Sequence, residues 1–232
     1  MLRYTIEATV IIIGILFSFY IEEIRTEREN IVIKNELLAD LNRALEKDLA
    51  QIEHVQEILN DSQKSITEIQ QDIDKQHQVY SDLEVLERLV SINIAISFFP
   101  EDGIFTELIS SGSFELIKNK ELKSKLLEIY NHQKERNYSI SDNIDDEGRL
   151  FNFAVYSNFR VSFDYNSFDG TFYGNQVLEN YTFNQDYYFS NEFYGILSVS
   201  KLFAFMYNRL LNDTKNQYKS TLALSLAEIS DN

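Results

Sequence analysis

The chain has 232 residues, of which 37 are acidic and 21 basic, giving a net charge of −16 at pH 7. This excess of negative charge repels nucleic acid and anionic lipid headgroups, so we expect no nucleic-acid partner. The absence of cysteine excludes disulfides, thiolate metal sites and cysteine nucleophiles, and the scarcity of helix breakers, one proline and seven glycines, favours long helices.

The first predicted element is a membrane-spanning helix at the N-terminus. Its centre, Ala8–Ile21, reads ATVIIIGILFSFYI and holds no charged residue. The run is shorter than the roughly 20 residues that cross a bilayer, but an apolar flank that begins at Leu2 extends it. Tyr4 and Tyr20 lie where interfacial aromatic residues are common, and no small-residue cleavage motif follows. We therefore predict a retained membrane anchor over residues 1–26.

The remaining residues, 27–232, are predicted to form one helical bundle domain. A charged run from Glu22 to Lys34 continues the first helix out of the membrane, and an apolar stripe follows it. The stripe repeats about every 3.5 residues, the period of a coiled coil. Its members are Leu38, Leu41, Leu45, Leu49, Ile52, Val55, Leu59, Ser62, Ile66, Ile69 and Ile73. One helix from Thr5 to Gln76 accounts for both features, and the stripe fits packing against a second copy or against later helices.

Four further helices are predicted as antiparallel partners of the first. They span Tyr80–Phe99, Ile104–Ser111, Asn119–Glu147 and Asn191–Leu226. Pro100 ends the first of these helices. Asp102 and Asn119 are the predicted N-caps of the next two, and Gly112 ends the short one. The apolar side of the last helix is predicted to hold Leu197, Leu202, Phe205, Leu210 and Leu211. The predicted fold is all-α: a transmembrane helix that continues into a long helix, packed with antiparallel helices as an elongated bundle.

An aromatic-rich, irregular insertion is predicted at about 151–190. Phenylalanine and tyrosine are mixed there with Asn, Asp, Ser and Gly, without a clean period of 2 or 3.6. The rings either cap the open end of the bundle or form a surface for a partner or ligand, since tyrosine and asparagine suit wet recognition. The candidate surface residues are Tyr165, Phe168, Tyr173, Tyr181, Tyr187 and Tyr188.

Candidate chemistry elsewhere is sparse. The three histidines are His54, His77 and His132. Asp74 and His77, and likewise Glu128 and His132, have the spacing of metal ligands on a helix, but a di-iron bundle needs more such pairs. Glu101 and Asp102 are paired carboxylates that helix capping explains. No nucleotide-binding, hydrolase or zinc-protease motif occurs, so we predict no catalytic residue, metal or cofactor, and no enzyme activity.

Two blocks of the sequence carry a family resemblance. The first joins YTIEA from Tyr4 to IGIL from Ile13 and the charged run behind it; the second joins FTELISSG from Phe105 to LI-x-N from Leu116. Together they resemble a bacterial family of uncharacterised single-pass membrane proteins, which the long C-terminal helix also fits. The resemblance covers most of the chain outside residues 151–190. It implies no known activity, and it implies an N-terminus in the cytoplasm with the domain outside.

The sequence therefore predicts a membrane-anchored, non-enzymatic interaction or scaffold subunit that acts through its helical domain. The alternative is a sensor-like bundle that binds a small ligand beneath the aromatic-rich segment. We expect an integral membrane protein with an unidentified protein partner, and homo-oligomerisation stays open. More lysine and arginine follow the anchor than precede it, which favours a cytoplasmic domain. Because the family resemblance implies the opposite, we place the domain on the periplasmic side of the cytoplasmic membrane.

Overall fold

The computed structural model of the chain describes residues 2–166 and 175–230, which are mostly helical. The helices are α1 (Leu2–Asp74), α2 (Asp82–Ser91), α3 (Gly103–Ser110), α4 (Lys120–Leu127), α5 (Lys134–Asn158), α6 (Gln185–Tyr188) and α7 (Asn191–Ser230). A 3₁₀ turn at Ser113–Leu116 and a π turn at Glu128–Gln133 lie between them. Strands β1 (Arg160–Asn166) and β2 (Asn175–Thr182) form one antiparallel hairpin. The predicted all-α class is confirmed because the described chain is mostly packed helices, and the hairpin is an addition to it.

Helix α1 buries the predicted apolar stripe. Its members other than Leu49 are at most 8% exposed, and Leu49 is half-buried. Ser62, the polar break in the stripe, is buried as well. Because this burial occurs within a single chain, the stripe packs on later segments of the same chain.

The N-terminal part of α1 remains outside this core. Its large apolar side chains from Val10 onward are exposed, from 48% at Ile21 to 69% at Phe19. Within residues 2–166 and 175–230, no helix combines the length and the apolar character that crossing a membrane requires. The predicted transmembrane helix is therefore not confirmed.

The chain divides into two compact units. The first comprises Met1–Lys47, Glu101–Tyr130 and Tyr218–Asn232, and the second comprises Asp48–Pro100 and Asn131–Gln217. The long helices α1 and α7 contribute residues to both units. The sequence-based boundary between anchor and bundle, at residue 26, stays a prediction.

A buried ion pair lies in the first unit. Lys34 Nζ is 3.0 Å from Glu228 Oε1, and the two side chains are 1% and 4% exposed. The backbone N–H groups of Lys118 and Asn119 donate to the same carboxylate at 2.9 and 3.0 Å. Burial alone would raise the pKa of Glu228, but these bonds outweigh it and hold that pKa below its usual value. The carboxylate thus fixes the start of α4, which Asn119 caps as predicted by accepting from the N–H of Glu121.

The predicted helix Tyr80–Phe99 is wrong in its C-terminal half. Helix α2 starts with a capping box between Ser81 and Glu84 and ends at Ser91. Residues 92–100 belong to no helix or strand, and burial alternates along them. The buried residues are Ile92, Ile94, Ile96 and Phe98. This period of two, built on β-branched residues, indicates extended backbone. The sequence predicts a helix as far as Phe99 because no proline or glycine occurs between Tyr80 and Pro100.

The extended segment, residues 92–100, obtains backbone hydrogen bonds from the helices of the second unit. The N–H of Asn93 donates to Ser62 Oγ at 2.9 Å, and that hydroxyl donates to the Asn93 carbonyl at 3.2 Å. The N–H of Phe98 donates to the Tyr207 hydroxyl at 2.8 Å, and Asn137 Nδ2 donates to the Phe98 carbonyl at 2.7 Å. Such partners are required because buried backbone groups without them are costly. Ser62 therefore interrupts the apolar stripe because its hydroxyl supplies hydrogen bonds to the backbone of Asn93.

Other helix ends also differ from expectation. Helix α3 begins at Gly103, and the Asp102 side chain makes no capping hydrogen bond to it. Gly112 adopts the predicted left-handed conformation, with a φ of 78°. The helix that Asn119 caps passes the predicted end, Glu147, and after the π turn reaches Asn158.

Candidate functional site

A network of polar side chains surrounds Asp72 at the end of α1. This residue is 0% exposed. Its Oδ1 accepts from the backbone N–H of Val79 at 2.8 Å and of Tyr80 at 3.1 Å. Its Oδ2 accepts from the Tyr188 hydroxyl at 2.7 Å and lies 2.6 Å from His77 Nδ1. Burial alone would raise the pKa of Asp72, but these hydrogen bonds outweigh it and lower the pKa. We call Asp72, His77, Asp82 and Tyr188 the Asp72 cluster.

His77 links two carboxylates across the turn between α1 and α2. Its Nε2 lies 2.8 Å from Asp82 Oδ1, and its ring stacks on Phe183 with centroids 5.1 Å apart. Burial alone would lower the pKa of His77, but the bonds to both aspartates outweigh it and raise that pKa. Both ring nitrogens are engaged, so neither is open to a metal or a substrate. The cluster can hold a proton, and its geometry fits a structural role.

The backbone at His77 explains why the sequence suggested the wrong partner. Asp74 and His77 would share a helix face only if α1 continued, but α1 ends at Asp74. Gln76 and His77 both have a φ of 57°. This is the left-handed region of backbone conformation, which residues other than glycine and asparagine rarely adopt. The chain therefore turns back, and His77 reaches Asp72 instead. Consecutive left-handed residues without glycine leave little signal in a sequence.

The other candidate ligands show no common site. His54 is exposed and lies 4.0 Å from Glu57, and His132 is exposed on the π turn. In the described part of the chain, no group of three or more His, Cys, Asp or Glu side chains is placed to hold a metal ion. Glu101 is exposed and lies 3.7 Å from Lys47. The prediction that the chain has no metal, cofactor or catalytic residue stays untested.

Among the six predicted surface aromatics, those that the structure describes differ in exposure. Phe168 and Tyr173 lie outside the described residues. The backbone of Tyr165 pairs with Gln176 in the hairpin. Tyr181 is 41% exposed, whereas Tyr187 and Tyr188 are 9% and 0% exposed. These two buried rings present no exposed face to a protein partner in this structure, and the candidate surface stays a prediction.

These buried tyrosines belong to a cluster of packed rings in the second unit. The Tyr188 ring lies 5.0 Å from that of Phe183, and the Tyr187 ring lies 5.3 Å from that of Phe193. The ring of Phe159, which follows the last residue of α5, has its centroid 5.5 Å from that of Phe193. Within the described residues, these rings pack against one another. This arrangement favours the cap interpretation over a ligand site for the described rings.

Helix α7 instead exposes apolar side chains that the sequence placed in the core. Leu202 and Phe205 are 54% and 58% exposed, while Leu197, Leu210 and Leu211 are buried as predicted. Val199 and Met206 are exposed beside them, at 42% and 52%. The helix thus has two apolar faces, of which the fold covers one. Sequence reasoning missed the second because it assigned every apolar residue to a single stripe.

A groove adjoins these residues between α5 and α7 of the second unit. The Tyr207 hydroxyl donates to Asn137 Oδ1 at 3.0 Å, and the Ser200 hydroxyl donates to Glu147 Oε1 at 3.1 Å, so the two helices run antiparallel. The groove has a volume of about 370 Å³. It is lined by Arg136, Ile140, Asn143, Phe203, Phe205, Met206, Arg209, Leu210 and Asp213. We call these residues the arginine groove, and Val199, Leu202, Phe205 and Met206 the α7 surface.

The comparisons with known proteins give a family and no activity. No curated protein and no solved structure matches the chain significantly. Residues 6–160 match the model described as a family of unknown function, DUF6090. The matched residues include Asp72 and His77 but not Tyr188 or α7. The resemblance to an uncharacterised family is confirmed, while the anchor and the two sequence blocks stay predictions. Since the match covers more than half of the sequence, the chain belongs to the DUF6090 family of unknown function.

Proposed function

We propose that this protein is a membrane-anchored interaction subunit that binds a protein partner through the α7 surface. The observation that carries the proposal is the row of exposed apolar side chains on α7. Val199, Leu202 and Met206 follow one another at helical spacing, and each is between 42% and 54% exposed. Contiguous exposed apolar surface of this kind marks interaction sites in soluble domains. No catalytic role is proposed for the chain.

The proposed membrane attachment rests on the N-terminal end of α1. Apolar side chains point outward on every side of the helix between Val10 and Ile21, so no single protein groove would cover them. Lipid solvates such a helix from all directions. The charged residues that follow, from Glu22 onward, then lie in water. We place the rest of the chain on the periplasmic side, as the family resemblance implies.

Attachment and orientation are tested together. We expect the protein to stay in the pellet after carbonate extraction and to retain its N-terminus on sequencing. A C-terminal tag should be cleaved by protease in spheroplasts without lysis. Release of the intact chain by carbonate would contradict the anchor. A tag that is cleaved only after lysis would place the domain in the cytoplasm.

The docking role is tested by site-specific photo-crosslinking in the native cell. A photoreactive residue at Leu202 should give a discrete adduct with another protein. The matched control is the same residue at Glu57, whose side chain is 79% exposed on α1 of the same unit. Equal adducts at both positions, or none at Leu202, Phe205 and Met206, would reject the α7 surface as a docking site.

A further inference from the structure

We propose that the arginine groove recognises an amphipathic helix of a partner protein through carboxylate groups on that helix. This inference rests on the proposed docking role of the α7 surface and names the chemistry of the partner. It does not depend on membrane attachment. The occupant is a protein helix with leucine-like residues along one face and Asp or Glu at one end of that face.

The groove has a polar end and an apolar body. Asn137 and Tyr207 are hydrogen-bonded to each other, so their neighbours Arg136 and Arg209 lie at similar levels of the two helices. Ile140, Phe203 and Met206 line the groove beyond them. A ligand that fills this space therefore meets cations at one end and apolar side chains along its length.

The two arginines are the strongest indication of an acidic occupant. Neither side chain has an ion pair or hydrogen bond within the described residues. The chain carries 37 acidic against 21 basic residues, so two unpaired guanidinium groups in one groove are unexpected. Guanidinium groups bind carboxylates with two parallel hydrogen bonds, and arginine is enriched where binding energy concentrates. Asp213 also lines this end but forms no ion pair in the described chain, so both guanidinium groups stay available to carboxylates of a ligand.

The length of the exposed surface favours a helix over a small molecule. The apolar row continues past the groove from Met206 to Val199, about 10 Å along α7 at 1.5 Å per residue. Leu150, 63% exposed, lies seven residues from Asn143 and so on the same side of α5. Paired antiparallel helices leave a groove into which the apolar face of a third helix packs. An anionic lipid surface is disfavoured because the net charge of −16 repels it.

The test uses the full-length protein and two synthetic peptides of about 20 residues, which span about 30 Å when helical. Both carry leucine at helical spacing, and one has two glutamates where the other has two lysines. Binding is measured by fluorescence anisotropy in detergent, at low and high salt. We expect the glutamate peptide to bind about tenfold more tightly than the lysine peptide, with the preference reduced by salt.

Charge reversal makes the test specific to the groove. The double variant R136E/R209E should reverse the preference between the two peptides. The matched control K64E/K75E changes the net charge equally at two exposed lysines of the same unit, and it should keep the wild-type preference. All four positions are exposed, so each variant should melt like wild type.

Several results would overturn the inference. Failure of both peptides to bind, equal binding of the two, or an unchanged preference in R136E/R209E would each reject carboxylate recognition. Binding to phosphatidylglycerol vesicles that R136E/R209E abolishes would assign the groove to lipid. A dimer in ultracentrifugation that the same variant dissociates would assign it to a second copy. Because the Leu202 crosslink does not depend on these charges, its persistence would show that only the partner chemistry was wrong.

Discussion

His77 Nδ1 and Asp72 Oδ2 lie 2.6 Å apart across the turn that reverses the chain after α1. Burial alone would lower the pKa of His77, but hydrogen bonds to Asp72 and Asp82 raise it above 6.5, its usual value. A group with a raised pKa in the fold stabilises the protein fully below its unfolded pKa. That contribution is lost as the pH rises through the folded value. The contribution of this pair to the stability of the fold therefore depends on pH.

We predict that His77→Asn lowers the melting temperature most near pH 6 and less near pH 9. Asparagine tolerates the left-handed backbone, so the variant removes the imidazolium without adding backbone strain. The control is His54→Asn, whose side chain is 62% exposed. The measurement is thermal melting followed by circular dichroism across this pH range. A wild-type-minus-variant difference that does not change with pH would refute the linkage.

A second prediction concerns the buried stripe of α1. Ile52 is 0% exposed, so Ile52→Asp places an unpaired charge in the core. We expect it to lower the free energy of unfolding by about 3–5 kcal/mol. Glu46→Ala, at an exposed position of the same helix, should change it by less than about 0.5 kcal/mol. Urea unfolding measures both, and an Ile52→Asp variant with wild-type stability would mean that the stripe is not a core.

A third prediction follows from the close approach of the extended segment to α5. A Cβ atom added at Gly148 would overlap the Cβ of Ala95, nearer than two carbon atoms can approach. We expect Gly148→Ala to destabilise the protein although alanine favours helices, and Ala95→Gly to rescue it in the double variant.

Gly195 supplies the matched control for this substitution. It lies in α7, and nothing would come within 4 Å of an added Cβ. Gly195→Ala should therefore raise the free energy of unfolding by about 0.5–1 kcal/mol. Similar effects of the two glycine substitutions would contradict the packing of residue 95 on α5.

How far the sequence predicts this fold depends on the period of each segment. The stripe from Leu38 to Ile73 repeats regularly over many turns, so its burial could be predicted. The extended segment alternates over only a few residues, and the absence of helix breakers concealed it. The second face of α7 was missed because Leu202 and Phe205 are as apolar as the core residues beside them. No local pattern distinguishes an uncovered face from a covered one.

The polar sites were less predictable, because their partners are distant in sequence. Asp72 meets Tyr188 across 116 residues, and Gln56 meets Asn208 across 152. The sequence block that ends at Asn119 looked like a simple helix cap. The backbone N–H of Asn119 also donates a hydrogen bond to the carboxylate of Glu228, which lies 109 residues further along the chain. Pairings over such distances leave no trace in the local spacing of residues.

A fourth prediction concerns the asymmetry of the buried ion pair in the first unit. Glu228→Leu removes the acceptor of three donors: the Lys34 ammonium and the N–H groups of Lys118 and Asn119. Lys34→Met removes one donor and leaves a carboxylate that still accepts two hydrogen bonds. We therefore expect Glu228→Leu to destabilise the protein more than Lys34→Met in urea unfolding. The reverse order would mean that the backbone bonds to Glu228 contribute little.

The same carboxylate predicts a dependence on acid. Burial alone would raise the pKa of Glu228, but its hydrogen bonds lower it below 4.5, its usual value. A group with a lowered pKa stabilises the fold above its unfolded value, and the contribution is lost as the pH falls through the folded value. We expect wild type to lose stability relative to Glu228→Gln between about pH 5 and pH 3. Glu57→Gln, at an exposed carboxylate, is the control. Parallel stability curves for wild type and Glu228→Gln over this range would show that the charge of Glu228 does not stabilise the fold.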